Sequence, residues 1–476
     1  MKFLRSYTLP FLLIVSAVLA SLAFEAYSLS DIKKHSMSEI EMYRRAELTD
    51  DVELLVPFAI DSLCRISDSN HTLNAFLGEL EMLLAGKDTV IQIVHLGDSH
   101  VQAGYFTGPV MRMLHQAFGN AGRGWIAPLK MAKINEPNDY YITSSKVKDW
   151  IAGRCIQLAP KCIWGIGGMG IQTSSKNVDF EVSVTPKNGA GYEFNKVLLY
   201  RDDKAIPLLP IEEDNIAIYT VLGEATGLPR IAVDTFSMED QVMSLHLLNM
   251  PHDFPHDFGT DILQTPNCYY GFSLINGNAG ILYHAIGQNG AMFSHYSNSD
   301  YFRQLALLQP SLIIITLGTN EAFSIRNLTD TMFASQLDLF IQLVKEHLPT
   351  TAILLTTPAE SFRRTSKGYV RNENISLIAN TMMEYAEREG LAYFDLFGMT
   401  GGINSSQKWQ DSKLLGRDRI HYTVEGYYEQ GKMLYKALIR TITNYETAFG
   451  SSQLRITGEV VETEEIEEAE TLIINN

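Results

Sequence analysis

The sequence has few basic residues, and this shortage narrows the range of partners. Its 476 residues include 38 Lys and Arg against 55 Asp and Glu, which gives a formal net charge of −17. Because a chain without a basic excess cannot neutralise a phosphate backbone, nucleic acid is not an expected partner. Part of the acidic excess lies in residues 450–476, which are expected to form a solvated acidic tail, with an acidic docking segment as the alternative.

Cysteine is also scarce. The chain has four, Cys64, Cys155, Cys162 and Cys268, and no C-x-x-C spacing or histidine pair accompanies them. A metal site is therefore not expected. An even number permits disulfides in an exported chain without requiring them, and Cys155 and Cys162 are the more plausible pair.

Long uncharged apolar runs are missing except at the N-terminus. Lys2 and Arg5 precede an uncharged run over residues 6–24, which ends in small residues typical of a signal-peptide cleavage site. The pattern predicts a secretion signal over residues 1–24. An uncleaved membrane anchor is the alternative, since the run approaches the roughly 20 residues that a spanning helix needs. We expect the rest of the chain to be soluble and exported, in the periplasm or at the cell surface.

The remaining sequence has the composition of a folded protein, with 46% hydrophobic and 20% charged residues. Short apolar runs rich in β-formers alternate with helical segments, which is typical of an α/β protein with a parallel sheet. The predicted strands are Val90–Leu96, Ile281–Ile286, Leu312–Leu317, Ala352–Leu355 and Leu391–Leu396. The predicted helices are Leu73–Leu84, a stretch after His100 that reaches Phe118, Asp330–His347, Asn372–Glu389 and Thr423–Leu438.

One connection is too long for an ordinary crossover. The first two predicted strands are separated by a segment that alternates polar and apolar residues between turn signals, for example at Phe180–Val184 and Lys196–Tyr200. This pattern predicts a β-sandwich over residues 165–278 inserted into one α/β domain, whose two parts are residues 50–164 and 279–445.

The first predicted strand ends in Gly97-Asp98-Ser99-His100. A serine at the carboxyl end of a strand, at the start of a helix, is well placed as a nucleophile because the backbone N–H groups there favour developing negative charge. Taken alone, the tripeptide is also common in turns where Asp or Ser caps a helix.

Two further motifs follow predicted strands. Gly290 lies in Gln288-Asn289-Gly290, where a glycine lets a backbone N–H approach a substrate oxygen, and Asn320 lies in Gly318-Thr319-Asn320. Ligands of open parallel sheets bind beyond the carboxyl ends of the strands, so both groups can donate into one crevice. Each motif in isolation is also an ordinary turn.

The last motif is Asp418-Arg419-Ile420-His421, just before a predicted helix. His421 can act as a general base while Asp418 fixes its tautomer. A surface Asp/His pair is the usual explanation of this spacing when it stands alone.

In this order the four blocks at Ser99, Gly290, Asn320 and Asp418/His421 resemble those of the SGNH (GDSL-type) hydrolase superfamily, over about residues 88–440. The resemblance implies a flavodoxin-like three-layer α/β/α fold, no metal and no organic cofactor. It also implies a catalytic triad of Ser99, Asp418 and His421, with an oxyanion hole made by Ser99, Gly290 and Asn320.

The Gly-Asp-Ser-His variant, the segment 118–125 and the predicted sandwich make the chain similar to bacterial cell-envelope O-acetylesterases, including those of peptidoglycan. That similarity implies removal of O-acetyl groups from an acetylated glycan. Two alternatives stay open: transfer of the acetyl group to a sugar hydroxyl by the same triad, and a non-catalytic glycan-binding protein in which the sandwich binds the sugar.

Other candidate residues have more ordinary interpretations. We expect His100 to be structural or to contact substrate, and His95 to be a satisfied polar group of its strand. The Gly167-Gly168-Met169-Gly170 cluster lacks the Lys-Ser/Thr of a phosphate loop and is interpreted as a hinge. Three tryptophans could stack on sugars but are more often buried (Trp125, Trp150 and Trp164).

Overall fold

The structure is a computed structural model that describes residues 52–185, 191–211, 216–223, 228–249 and 266–449. The predicted signal or anchor segment and the acidic tail lie outside these residues. Within them, no helix combines the length and apolar character needed to cross a membrane.

The described residues form nineteen strands and eleven α-helices. The strands are β1 (Ile66–Ser67), β2 (Val90–Gly97), β3 (Gly124–Ile126), β4 (Tyr140–Thr143), β5 (Ile151–Arg154), β6 (Met169–Thr173), β7 (Asp179–Val184), β8 (Phe194–Asp202), β9 (Leu208–Pro210), β10 (Ala217–Gly223), β11 (Ile231–Val242), β12 (Ser244–Asn249), β13 (Asn267–Ile275), β14 (Gly280–Gly287), β15 (Leu312–Thr316), β16 (Ala352–Thr356), β17 (Phe362–Thr365), β18 (Gly368–Arg371) and β19 (Ala392–Phe394). The helices are α1 (Asn74–Leu84), α2 (Ser99–Gln102), α3 (Thr107–Phe118), α4 (Phe293–Tyr296), α5 (Ser299–Leu305), α6 (Thr319–Ser324), α7 (Asp330–His347), α8 (Glu373–Glu389), α9 (Leu396–Met399), α10 (Ser405–Asp411) and α11 (Val424–Phe449).

One sheet has the strand order β1-β19-β16-β15-β2-β14. All of its neighbouring pairs are parallel except β1 with β19, which is antiparallel at the edge. All five predicted strands belong to this sheet. The predicted α/β class with a parallel sheet is therefore confirmed.

Helices cover both faces of this sheet, because successive residues of a strand point to opposite sides. Ile93 of β2 and Ile314 of β15 lie in a core with helices α1, α3 and α11. Val94 and Ile313 lie in a second core with α5, α7 and α8. The molecule thus contains the three-layer α/β/α arrangement.

The segment between β2 and β14 forms two antiparallel sheets. One has the order β10-β11-β8-β13-β6-β5, with β3 paired to β13, and the other has the order β4-β7-β12-β9. They pack face to face: the Phe180 ring lies 5.3 Å from that of Tyr269 and 5.5 Å from that of Phe272. A β-sandwich is present, as expected from the alternating pattern.

The two sheets also include strands that precede residue 165, the predicted start of the sandwich. Strand β4 pairs with β7 and β5 pairs with β6, which places residues 140–154 inside the two sheets. Short strands of three or four residues carry too little alternation to be recognised from the sequence.

The four cysteines are buried free thiols. The side chain of Cys162 contacts that of Cys268 on β13 rather than that of Cys155. The pairing of Cys155 with Cys162 is therefore not supported. Cys162 lies in the β5–β6 connection beside the edge of the larger sheet, where Gln172 donates to the Lys161 carbonyl across 3.0 Å.

Candidate active site

The site lies where three neighbouring parallel strands end together. Gly97 at the end of β2 is in register with Gly287 of β14 and with Thr316 of β15. Ser99, Gly290 and Asn320 each follow one of these strand ends within four residues. Strand register, rather than sequence proximity, brings these residues into one crevice.

Gly97 allows the tight turn that presents Ser99. A Cβ at this position would lie 2.4 Å from Cγ2 of Val101 and 2.6 Å from the carbonyl oxygen of Thr316, so no other residue fits without a shift of the backbone. Ser99 is the first residue of α2, and the Asp98 side chain caps that helix by accepting from the His100 N–H at 2.9 Å.

Ser99, His421 and Asp418 form a continuous hydrogen-bonded chain. The Ser99 hydroxyl lies 2.8 Å from Nε2 of His421, and Nδ1 of His421 lies 2.6 Å from Oδ2 of Asp418. An ionised carboxylate only accepts, so Nδ1 carries the proton and Nε2 accepts from the serine hydroxyl. This is the arrangement that a general base needs to activate a nucleophile.

Asp418 is held in its ionised form. Partial burial alone would raise the pKa of its carboxyl, but the hydrogen bond from His421 and those from the N–H groups of Ile420 and His421 lower the pKa below its ordinary value. Both N–H groups donate to Oδ1 at 3.0 Å. The carboxylate therefore orients the imidazole from a fixed position.

Two backbone donors face the crevice. Among the described residues, the N–H groups of Ser99 and Gly290 have no hydrogen-bond partner, and Gly290 adopts a positive φ of 85°. Asn320 is committed elsewhere: its Nδ2 donates to Oδ2 of Asp98 and to the carbonyl of Ala291, both at 2.9 Å. Since an amide nitrogen has two hydrogens, Asn320 can assist an oxyanion only if one of these bonds is exchanged. The three-donor oxyanion hole stays a prediction.

Part of the chain matches a known protein family. The GDSL-like lipase/acylhydrolase family matches residues 266–428, which include Gly290, Asn320, Asp418 and His421. A solved peptidoglycan O-acetylesterase superposes with a TM-score of 0.61, covering 80% of this chain and 99% of that one at 17% identity. The resemblance to the SGNH (GDSL-type) superfamily is supported by this family match, and the expected α/β/α fold is confirmed. The family match also supports an acylhydrolase. The α/β/α part of the molecule is here called the SGNH domain.

Two other solved structures each cover about a third of the chain. A lipase/acylhydrolase from Enterococcus faecalis covers 34% of this chain and 77% of its own length, at 17% identity and a TM-score of 0.27. A carbohydrate esterase of family 3 from Talaromyces cellulolyticus covers 34% and 73%, at 13% identity and a TM-score of 0.27. No curated protein sequence matches the chain.

Two buried carboxyl groups of the SGNH domain, those of Asp98 and Glu321, were not predicted from the sequence. Asp98 accepts from Asn320, and Oε1 of Glu321 accepts from the Phe293 N–H at 2.7 Å. Burial raises the pKa of each to about 7. They hold the segment after Gly290 against the start of α6. The sequence feature that could have identified them is their position inside the Gly-Asp-Ser and Thr-Asn-Glu motifs.

His100 packs against His421, the candidate general base. Its ring centroid lies 5.2 Å from that of His421, and its Nδ1 lies 2.8 Å from the hydroxyl of Tyr427. Burial lowers the pKa of His100 to about 3, so this ring stays neutral beside His421. His95 is buried, with hydrogen bonds to Tyr283 and Thr316, as expected for a satisfied polar group.

The remaining candidates are packing residues. The ring of Trp125 leaves no room for a side chain at Gly167, whose carbonyl accepts from Gln288 across 3.0 Å. This glycine cluster thus lies where the sandwich packs on the SGNH domain. Trp125 and Trp150 are buried and Trp164 is partly buried. No cluster of three or more potential metal ligands occurs in the described part of the chain.

Proposed function

We propose that this protein is a serine esterase that removes O-acetyl groups from a polysaccharide, of the kind represented by peptidoglycan O-acetylesterases. The observation that carries the proposal is the chain of hydrogen bonds from Ser99 through His421 to Asp418. The acylhydrolase family match and the three-layer fold with its sandwich support an ester as the substrate.

In the proposed reaction, Ser99 Oγ attacks the acetyl carbonyl while His421 Nε2 takes the hydroxyl proton. The free N–H groups of Ser99 and Gly290 stabilise the tetrahedral oxyanion. His421 then returns the proton to the leaving sugar hydroxyl. Water, deprotonated by the same imidazole, then attacks the acetyl-enzyme and breaks the bond between the acetyl carbon and Ser99 Oγ. The imidazolium returns its proton to Ser99 Oγ as acetate leaves, which restores the free hydroxyl and the neutral base.

We infer that the substrate lies outside the cytoplasm. The apolar run of residues 6–24 behind Lys2 and Arg5 supports export, either by a cleaved signal or by a retained anchor. Fractionation of cells that express the full chain checks this inference, since recovery in the cytoplasm would contradict it.

The central test compares the protein with its Ser99→Ala variant. We expect the wild type to release acetate from acetylated glycans and from a small aryl acetate, and Ser99→Ala to lose both activities because the attacking oxygen is gone. Ser335→Ala, on the solvent-facing side of α7, is the matched control. Acetate release by Ser99→Ala at the wild-type rate would refute the proposal. Appearance of acetylated acceptor sugar in place of acetate would instead identify transfer.

A further inference from the structure

A groove opens beside the oxyanion glycine, between the SGNH domain and the sandwich. Its volume is about 660 Å³, within the range of sites that hold small ligands. Residues 131–135 form one wall, and Trp150 and Ala152 of the β5 region form another. Asn289, next to Gly290, also lines the groove.

The end of the groove at Asn289 is fixed relative to the nucleophile. The Asn289 N–H donates to Oε1 of Gln102 across 3.0 Å, and Gln102 is the last residue of the helix that begins at Ser99. On the other side, Cδ1 of Ile156 would lie 3.8 Å from a Cβ at Gly290. A glycan whose acetyl group enters the crevice can therefore continue along this groove.

The groove carries positive charge only. Lys133, Arg154 and Lys161 line it, and no Asp or Glu does, although the chain as a whole has a net charge of −17. Among the described residues, none of the three takes part in an ion pair, whereas buried Arg123 and Arg201 are both paired with aspartates. Lys133 and Lys161 are exposed and Arg154 is half-buried, so all three are available to a ligand.

Glu136, the acidic residue nearest in sequence to any of these three cations, does not offset their charge. The Glu136 side chain turns away and accepts from the Ile142 N–H across 3.0 Å, and burial raises its pKa. An uncharged glycan would offer only hydroxyl groups to these three cations and no negative charge to pair with them. A carboxylate on the sugar chain would pair with them by charge-assisted hydrogen bonds.

We propose that this groove, the cationic groove, binds a carboxylate-bearing residue of the glycan next to the acetylated sugar. The proposal rests on the proposed function, because it assigns the substrate class of that esterase. The shared chemistry is the carboxylate, which can belong to a uronic acid ring or to an acidic substituent such as a peptide on an amino sugar.

The first experiment measures binding, so that it does not depend on catalysis. Calorimetry with Ser99→Ala compares an oligouronate, the same oligouronate with methyl-esterified carboxyls, a peptide-substituted amino-sugar oligosaccharide and a neutral glucomannan oligosaccharide. We expect at least one of the two carboxylate-bearing probes to bind more tightly than the neutral ones, with an affinity that falls as salt is raised. The identity of that probe distinguishes the two sources.

The matched variant replaces Lys133, Arg154 and Lys161 by glutamine together in the Ser99→Ala background. We expect its affinity for the carboxylate-bearing probe to fall about tenfold, and its affinity for the neutral probes to stay unchanged. Lys345→Gln, on exposed α7, is the control for a change of net charge. Equal binding of free-acid and methyl-esterified oligouronate together with no preference for the peptide-bearing probe would overturn the proposal, as would unchanged affinity in the triple variant.

A second measurement separates this proposal from the proposed function. The wild type is assayed for acetate release from a small aryl acetate, which carries no carboxylate, and from the acetylated forms of the charged and neutral probes. An inactive wild type would refute the esterase assignment, whereas an active enzyme without carboxylate preference would refute the cationic groove alone.

Discussion

At the scale of single residues, the proposed catalysis depends on which nitrogen of His421 carries the proton. Asp418 accepts from Nδ1 and thereby leaves Nε2 free to accept from Ser99. In Asp418→Asn, the amide can donate to Nδ1 and stabilise the wrong tautomer. We expect kcat on an aryl acetate to fall by about 10³–10⁴-fold with the fold unchanged. Asp411→Asn, also exposed, is the control, and a loss of only a few-fold in Asp418→Asn would contradict the assigned role.

The buried carboxyl of Glu321 makes the free energy of unfolding decrease as pH rises. Burial raises its pKa from 4.5 to about 7, so the folded state keeps this proton over a range in which the unfolded chain releases it. Its contribution to the free energy of unfolding therefore decreases as pH rises from about 4.5 and levels off above about 7. Glu321→Gln should reduce that slope in urea unfolding curves recorded between pH 5 and 8, and exposed Glu425→Gln should not. If the free energy of unfolding changed with pH in the same way for the wild type and for Glu321→Gln, this role of Glu321 would be disproved.

Residue types and their order were enough to nominate Ser99, Gly290, Asn320, Asp418 and His421. The contact between Asp418 and His421 could be expected from their spacing of three residues. The partners of Asn320 could not be predicted, because they depend on how distant segments pack together. The Asn320 amide, for example, donates to Asp98, which is 222 residues distant in sequence.

At the scale of elements, the junction between β2 and α2 depends on Gly97. In Gly97→Ala, the added Cβ would meet Val101 and the Thr316 carbonyl at distances that force β2 and β15 apart. We expect a destabilisation of about 1–3 kcal/mol and a loss of activity, because Ser99 shifts with the turn. Gly78→Ala within α1 is the control, since its Cβ would be 3.8 Å from its nearest neighbour and helix propensity should favour it. Urea unfolding and aryl acetate hydrolysis measure both effects.

Hydrophobic periodicity predicted the long elements well and the short ones poorly. Helix α7 has the predicted bounds, and α8 ends at Gly390, whose φ is 64°. The helical stretch predicted after His100 is instead broken into α2 and α3, with Gly104 at a φ of 75° between them. Helix α11 extends to Phe449 rather than Leu438. The local hydrophobic pattern does not determine the last residue of a helix or strand, because that residue also depends on tertiary packing.

At the scale of the whole molecule, a buried ion pair links the two sheets of the sandwich, since β3 pairs with β13 of one sheet and β4 belongs to the other. Arg123, just before β3, donates to Asp139, just before β4, across 2.5 Å, and both side chains are buried. Arg123→Met would leave the aspartate buried and unpaired, and we expect a loss of about 3–5 kcal/mol in the free energy of unfolding. The double variant with Asp139→Leu should recover much of it. Chemical unfolding followed by tryptophan fluorescence tests this, and equal stability of the single and double variants would count against it.

Ser99 and His421 also lie on opposite sides of the inserted sandwich in the sequence, separated by 322 positions. During synthesis Ser99 leaves the ribosome long before His421, and the intervening module must be made before the two side chains can meet. A nascent chain that stops short of residue 421 can bury much of its sheet but lacks the imidazole that would activate Ser99. The proposed activity is therefore withheld until translation has passed residue 421.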